Sequence, residues 1–138
     1  MISFDQAFKL IHCAIKVARD EQFKPMTIVV VDTAGNIVCS GRDNGANFMR
    51  YEIAYGKAVA AIGMQTNTRQ LVKKSQDMPV FFNSISTAMD KPFIPQTGAI
   101  LICQEDDIIG AIGASGGTGD QDEMILVKAI EHLKLSWK

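Results

Sequence analysis

The chain has 138 residues, of which 47% are hydrophobic and 21% charged, an ordinary composition for one globular domain with a substantial core. The net charge of −1 supplies no basic surface for nucleic acid, and no apolar run is long enough to span a membrane. The first residues also lack the charged-then-apolar pattern of a signal peptide. Cys13, Cys39 and Cys103 are widely spaced and typical of reduced thiols. We therefore expect a single cytoplasmic domain over residues 1–138 that binds neither nucleic acid nor membrane.

The first half of the chain predicts a helix, a β-hairpin and a second helix. Ser3 and Gln6 form a capping box for a helix whose apolar face begins with Phe4 and Phe8. The β-branched run at 26–32 and the segment 37–42 predict two strands, joined by turn residues. A helix of mostly small side chains, roughly 48–64, follows the turn Asp43-Asn44-Gly45.

The second half predicts short helices, a second hairpin and a final helix. Thr68 can cap a helix over 70–75, and 79–89 can hold a further helical turn or two. The proline-rich segment 91–98 predicts an edge strand or a loop. Strands are predicted at 99–103 and 108–112, and Asp120 can cap the last helix. This order of elements indicates an α+β fold with an antiparallel sheet.

The stretch GAIGASGGTGDQD contains a G-x-S-x-G match around Ser115, the pattern of a serine-hydrolase nucleophile. A nucleophile elbow needs a helix that starts directly after the serine, and the turn over 116–119 is too long for that. His132, a possible base, lies roughly three turns into the following helix. We therefore reject the hydrolase interpretation.

Two interpretations of these glycines stay open. The backbone N–H groups before a helix can cradle an anion, which makes Gly116 and Gly117 candidate ligand contacts. Alternatively, the glycines allow a sharp turn and close packing against the alanine-rich second helix. The structural interpretation is favoured because Asp120, Asp122 and Glu123 place negative charge in the first turn of the last helix, where they would repel a small anion and cap the helix themselves.

Three segments in order, TIVVVDTAGNIVCSGRDNGA, IAYGKAVAA and GAIGASGGTGDQD, resemble the GlcG/HbpS-like family, to which the C-terminal domain of PduO-type proteins also belongs. The resemblance covers nearly the whole chain. It implies a profilin-like fold with a central antiparallel sheet of about five strands flanked by helices, and a homo-oligomer of at least two subunits. It also implies haem or another tetrapyrrole as ligand. The chain departs from the family pattern at Asn44, where an acidic residue is usual, and at Met89-Asp90, where glycines are frequent.

His12 is the candidate axial ligand to haem iron. It lies on the flank of the first helix, beside Lys16 and Arg19, which can pair with propionates. The resemblance adds to this, since some PduO-type relatives use a histidine near the start of the domain. The alternative is a partly solvated polar residue. The chain has no Cys-x-x-Cys-His motif, which excludes covalent haem attachment.

A small catabolic enzyme acting on an organic acid is the alternative function. Arg42 would then hold a carboxylate, and Asp43 or Lys57 would transfer protons. A ligand-free structural subunit is the third possibility. Two histidines cannot form a three-histidine metal site. The candidate ligand-binding residues are His12, Arg42, Asp43, Asn44, Gly45, Lys57, Gly116 and Gly117.

Overall fold

A computed structural model describes residues 1–137 as helices packed around one antiparallel sheet. The helices are α1 (Phe4–Asp20), α2 (Met49–Met64), α3 (Thr68–Asp77), α4 (Pro79–Ala88) and α5 (Gly119–His132). The strands are β1 (Thr27–Val31), β2 (Ile37–Arg42), β3 (Ala99–Gln104) and β4 (Asp107–Ser115). The sheet order is β2-β1-β4-β3, and each neighbouring pair is antiparallel. The predicted α+β class is confirmed.

The sheet has four strands, so the prediction of about five is wrong. The segment between α4 and β3 forms a loop, because Pro92 and Pro95 have no N–H to donate to a strand ladder. β4 continues beyond its predicted end to Ser115 and pairs with both β1 and β3. The first part of the glycine-rich stretch is therefore strand rather than loop.

The two faces of the sheet are covered by different helices. Ile28 and Val30 of β1 belong to an apolar core with α1 and α5, whereas Val29 and Val31 belong to a second core with α2. Both faces of β1 are buried, which explains its continuous β-branched sequence. A third, smaller apolar cluster joins α2, α3, α4 and the loop before β3, and contains Ala60, Leu71, Phe82 and Phe93.

Capping boxes begin α1 and α5. In the first, the Ser3 hydroxyl accepts from the Gln6 N–H, and the Gln6 side chain accepts from the Ser3 N–H, as predicted. In the second, Thr118 and Gln121 make the same reciprocal pair. The prediction of Asp120 as the cap is wrong, because the cap is Thr118, two residues earlier, which places Asp120 inside the first turn of α5.

The chain between α2 and β3 is more helical than predicted. α3 and α4 have ten residues each, and α3 begins at Thr68 rather than after it. Thr68 does not cap α3; its buried hydroxyl accepts from the Ala99 N–H and donates to the Ala99 carbonyl, which ties α3 to β3. Within residues 1–137, no helix is both long and apolar enough to cross a membrane.

Candidate ligand-binding groove

An open groove of about 870 Å³ lies between α1 and the edge strand β2. This volume falls in the range of small-molecule and cofactor sites, roughly 300–1,000 Å³. Apolar side chains of α1 line it together with cations from the same helix. The predicted site residues that line the groove are His12, Arg42, Asp43 and Asn44.

Phe4, Phe8 and His12 form a row of rings along the groove. Their spacing of four residues places them on one side of α1. The ring centroids of Phe4 and Phe8 are 6.0 Å apart, and those of Phe8 and His12 are 6.3 Å apart. Phe4 and Phe8 are 58% and 54% exposed, although the apolar pattern of the helix places them with the core. The row therefore offers solvent an apolar surface that ends at an imidazole.

Arg19 and Asp43 form a bidentate ion pair in the groove. Arg19 Nε lies 3.0 Å from Asp43 Oδ2, and Nη2 lies 2.5 Å from Oδ1. Asp43 also accepts from the Asn44 N–H at 2.8 Å. The hydrogen bond from Arg19 holds the pKa of Asp43 below its ordinary value. A carboxylate held in its ionised form in this way fixes the turn after β2 against α1 and is a poor proton-transfer group.

Arg42 lies at the rim of the groove. Its register partner is Thr27, and the preceding Gly41 pairs with Ile28. Because side chains alternate along a strand, the Cβ of Arg42 lies on the α2 side of the sheet, whereas Gly41 faces α1. Gly45 has a φ of +90° and forms the following turn. The cations that extend from α1 are therefore better placed for a ligand in the groove than Arg42.

Lys57, Gly116 and Gly117 lie elsewhere. Lys57 is buried, and its ammonium donates to Asp122 Oδ2 at 3.0 Å and to the Ala114 carbonyl at 3.1 Å. Lys57 and Gly117 line a smaller cavity of about 310 Å³, and Gly116 lines a neighbouring one. The predicted site residues thus divide between two regions of the molecule.

Asp122 lies in the first turn of α5, as the sequence predicts, but its charge is buried and paired. It is 2% exposed, and its second oxygen accepts from the Gly117 N–H at 2.9 Å. Burial raises the pKa of its carboxyl group, and the neighbouring Lys57 charge opposes that rise. Because Lys57 neutralises Asp122, the predicted repulsion of an anion by this residue is wrong.

Neither histidine lines the cavity that Ser115 lines. The Ser115 hydroxyl is buried and accepts from Arg50 Nη1 at 3.2 Å. His12 and His132 both line another cavity, where the end of α5 meets α1, so neither is placed as a base. The turn to the next helix is shorter than predicted, since Gly119 is already helical. Among the described residues, no group of three or more His, Cys, Asp or Glu could hold a metal ion.

Arg50 and the two phenylalanines of the aromatic row are absent from the predicted site residues. Arg50 precedes Lys57 by seven residues, about two helical turns, which places both on one side of α2. Phe4 and Phe8 share the four-residue spacing of His12. Both spacings are visible in the sequence, but neither distinguishes a ligand-facing side from a core-facing side.

The chain is similar in sequence to a known protein family and to known proteins. The model of the family described as haem-degrading protein HbpS-like matches residues 2–131. Corrinoid adenosyltransferase PduO of Citrobacter freundii is 28% identical over 97% of this chain, but over only 39% of its own length. The chain therefore spans about two fifths of that relative. An uncharacterised 15.0 kDa protein from the dhaT–dhaS intergenic region of the same organism is 26% identical over 78% of this chain and 75% of its own length.

Solved structures share this fold. The crystal structure of a PduOC:haem complex matches with a TM-score of 0.86 and 25% identity, covering 98% of this chain and 96% of that chain. Klebsiella pneumoniae protein ORFY matches with a TM-score of 0.86 and 22% identity, over 96% and 90% of the two chains. HbpS matches with a TM-score of 0.81 and 23% identity, over 96% and 89%.

Proposed function

The chain belongs to the HbpS-like family, and we propose that it binds haem in the groove between α1 and β2. The observation that carries this proposal is the row of Phe4, Phe8 and His12, an apolar surface that ends at an imidazole. Haem requires an axial donor, an apolar contact for its ring and cations for its propionates. A haem complex of a protein with this fold supports the proposal.

The groove contains the residue types that haem requires. His12 would bind the haem iron, and Phe4 and Phe8 would contact the ring. Lys16 and Arg19 lie further along α1. Lys16, and the Arg19 N–H groups that do not bind Asp43, would pair with the propionates. Bound haem would supply an iron centre, and no covalent link to the chain is needed to hold it. The role of the polypeptide is to orient the ring and to exclude water from one of its faces.

The aromatic rings that line the groove all belong to α1, so a ligand there would have aromatic contacts on one side. A second subunit could cover the other side. Phe4 and Phe8 are more than half exposed, and large apolar side chains in contact with solvent mark interaction surfaces. We extend the proposal to a homo-oligomer of at least two subunits in which a second copy covers the groove. Haem would then lie at a subunit edge.

The alternative enzyme predicted from the sequence needs Arg42 at the substrate together with Asp43 or Lys57 as the proton carrier. Arg42 and Lys57 line separate cavities. Asp43, its other candidate proton carrier, is held as a carboxylate by Arg19. We therefore favour haem binding over this enzyme.

A haemin titration followed by the Soret band tests the proposal. The parent protein should shift the band to saturation, and His12→Ala should abolish the shift. His132→Ala is the matched control, because it removes the other histidine, which does not line the groove, and it should titrate like the parent. Arg42→Ala should barely change the titration, since Arg42 lies at the rim. An unchanged titration of His12→Ala would show that the axial assignment is wrong.

A further inference from the structure

A second cavity lies where α2 meets the start of α5, beside the loop before β3. Its volume of about 310 Å³ is at the small end of the range for ligand sites. Arg50, Lys57, Thr97, Ser115 and Asp122 are among the polar residues that line it. Haem binding in the groove beside α1 makes no use of these residues.

The buried Lys57–Asp122 ion pair joins α2 to α5, but packing two helices together does not require buried charges. The two side chains are 7% and 2% exposed. Removing both charges from water costs several kcal/mol per ion, and apolar side chains of similar volume often join helices equally well. The backbone also accommodates this lysine, because a Cβ at Gly98 would lie 2.6 Å from its Nζ. Gly98 has a φ of +130°, a conformation that favours glycine.

The ammonium of Lys57 keeps a donor for a ligand. An ammonium group has three N–H donors. Among the described residues, Lys57 donates to Asp122 and to the Ala114 carbonyl. The cavity lies against this group, so a ligand oxygen inside it can accept the third hydrogen bond.

Arg50 adds a positive charge that Asp122 does not neutralise. Asp122 is paired with Lys57, which leaves the guanidinium of Arg50 as the net charge among these three groups. One of its nitrogens donates to the Ser115 hydroxyl, and a guanidinium has further donors in a planar fork. That fork matches a carboxylate in a bidentate manner.

We propose that this cavity is a second binding site, for a small carboxylate held by Arg50 and hydrogen-bonded by Lys57 and Ser115. The volume limits the ligand to a small acid. The single net positive charge suits a carboxylate better than a doubly charged phosphate. The site does not depend on the haem groove, so either can exist without the other.

Calorimetric titration of the purified protein with pyruvate, propionate and inorganic phosphate, at matched ionic strength, tests this proposal. At least one of the two carboxylates should bind more tightly than phosphate. Arg50→Gln should weaken that binding about tenfold or more, because the bidentate contact is lost. Arg50 is only partly buried, so this variant should fold, which circular dichroism can verify. Haemin binding by Arg50→Gln should remain that of the parent.

Arg69→Gln is the matched control, because it makes the same change in charge on neighbouring α3. Arg69 is exposed, pairs with Asp120 and Glu123, and does not line the cavity. It should alter carboxylate affinity by less than about twofold, since exposed charges are screened. The proposal is overturned if neither carboxylate binds, if phosphate binds more tightly, or if Arg50→Gln binds like the parent. Loss of binding in Arg42→Gln alone would move the site to the groove and overturn it equally.

Discussion

The groove beside α1 and the cavity beside α2 arrange their side chains in opposite ways. In the groove, the rings of Phe4 and Phe8 are more than half exposed, Lys16 is exposed, and Arg19 pairs with Asp43 at the surface. In the cavity, a lysine and an aspartate are buried together, and the adjoining backbone segments pack closely. The groove leaves apolar surface that a ligand or partner can cover. In the cavity, the stability of the fold depends on the buried ion pair. Substitutions should therefore affect stability in one region and binding in the other.

The largest loss of stability is expected at Gly113, where β4 passes directly beneath α2. A Cβ at this position would collide with the Ala54 carbonyl oxygen and lie 3.0 Å from the Ala58 nitrogen. Backbone atoms cannot move aside as a side chain can. Gly113→Ala should cost about 3 kcal/mol or more, the upper end for overpacking, or prevent folding. Chemical denaturation of the purified variant measures this loss.

Gly63→Ala is the control for that substitution. Gly63 lies near the end of α2, and nothing lies within 4 Å of a Cβ built there. Alanine favours helix over glycine, so the free energy of unfolding should stay constant or rise by up to about 1 kcal/mol. If both substitutions lower the free energy of unfolding equally, close contact with α2 is not the reason for glycine at position 113.

A loss of similar size is expected from breaking the buried ion pair. Lys57→Met leaves the Asp122 carboxylate buried without its partner and should cost about 3–5 kcal/mol. Adding Asp122→Asn should recover part of this loss, because no uncompensated charge then remains. Denaturant unfolding of the two single variants and the double variant measures the coupling. If the loss in the double variant equals the sum of the two single losses, Lys57 and Asp122 do not stabilise each other, which would contradict this prediction.

This loss should depend on pH in a defined direction. Burial raises the pKa of Asp122 above its ordinary value of 3.8. The contribution of such a group to stability is fully present below 3.8 and is lost as pH rises through the higher folded-state pKa. Removing Lys57 removes the charge that opposes this rise, so the deficit of Lys57→Met should shrink as the solution becomes acidic. Lys57→Met with Asp122→Asn should lack this dependence.

Ser115→Ala is expected to have a small effect. The substitution removes the acceptor of one hydrogen bond from Arg50, which is only partly buried. The free energy of unfolding should change by about 1 kcal/mol or less, and haemin binding should not change. If the variant folds normally but loses a hydrolytic activity that the parent has, the rejection of a serine nucleophile is wrong.

The smallest effect on the stability of the subunit is expected from Phe8→Ser, because Phe8 is already 54% exposed. Its unfolding free energy should change by about 0.5 kcal/mol. Association should change instead: in sedimentation, the parent should be at least a dimer, and Phe8→Ser should shift towards the monomer. A monomeric parent would contradict the proposed subunit edge.

The sequence predicted the elements that depend on local chemistry. The capping box at Ser3 and the β-branched run of β1 each carry their own signal, and both are confirmed. The choice between Thr118 and Asp120 as a cap depends on where β4 ends, which is decided by pairing with distant strands. The strand number came from the family resemblance rather than from residue patterns, and the loop containing Pro92 does not join the sheet.

The candidate site was less predictable because its pairs are distant in the chain. The Arg19–Asp43 pair is separated by 24 residues and the Lys57–Asp122 pair by 65, and no periodicity links such partners. Each residue could be proposed singly from its chemistry. Which of them share a cavity depends on how α1 and α2 pack on the two faces of the sheet.

The most direct test of haem binding at the groove is the absorption spectrum of His12→Gly loaded with haemin, before and after imidazole is added. Glycine removes the axial donor and leaves space for a free imidazole. We predict that the variant mixed with haemin lacks the parent Soret band, and that with imidazole it regains the band and retains haemin on gel filtration. A parent-like Soret band without imidazole would contradict the account, since another residue would then hold the iron.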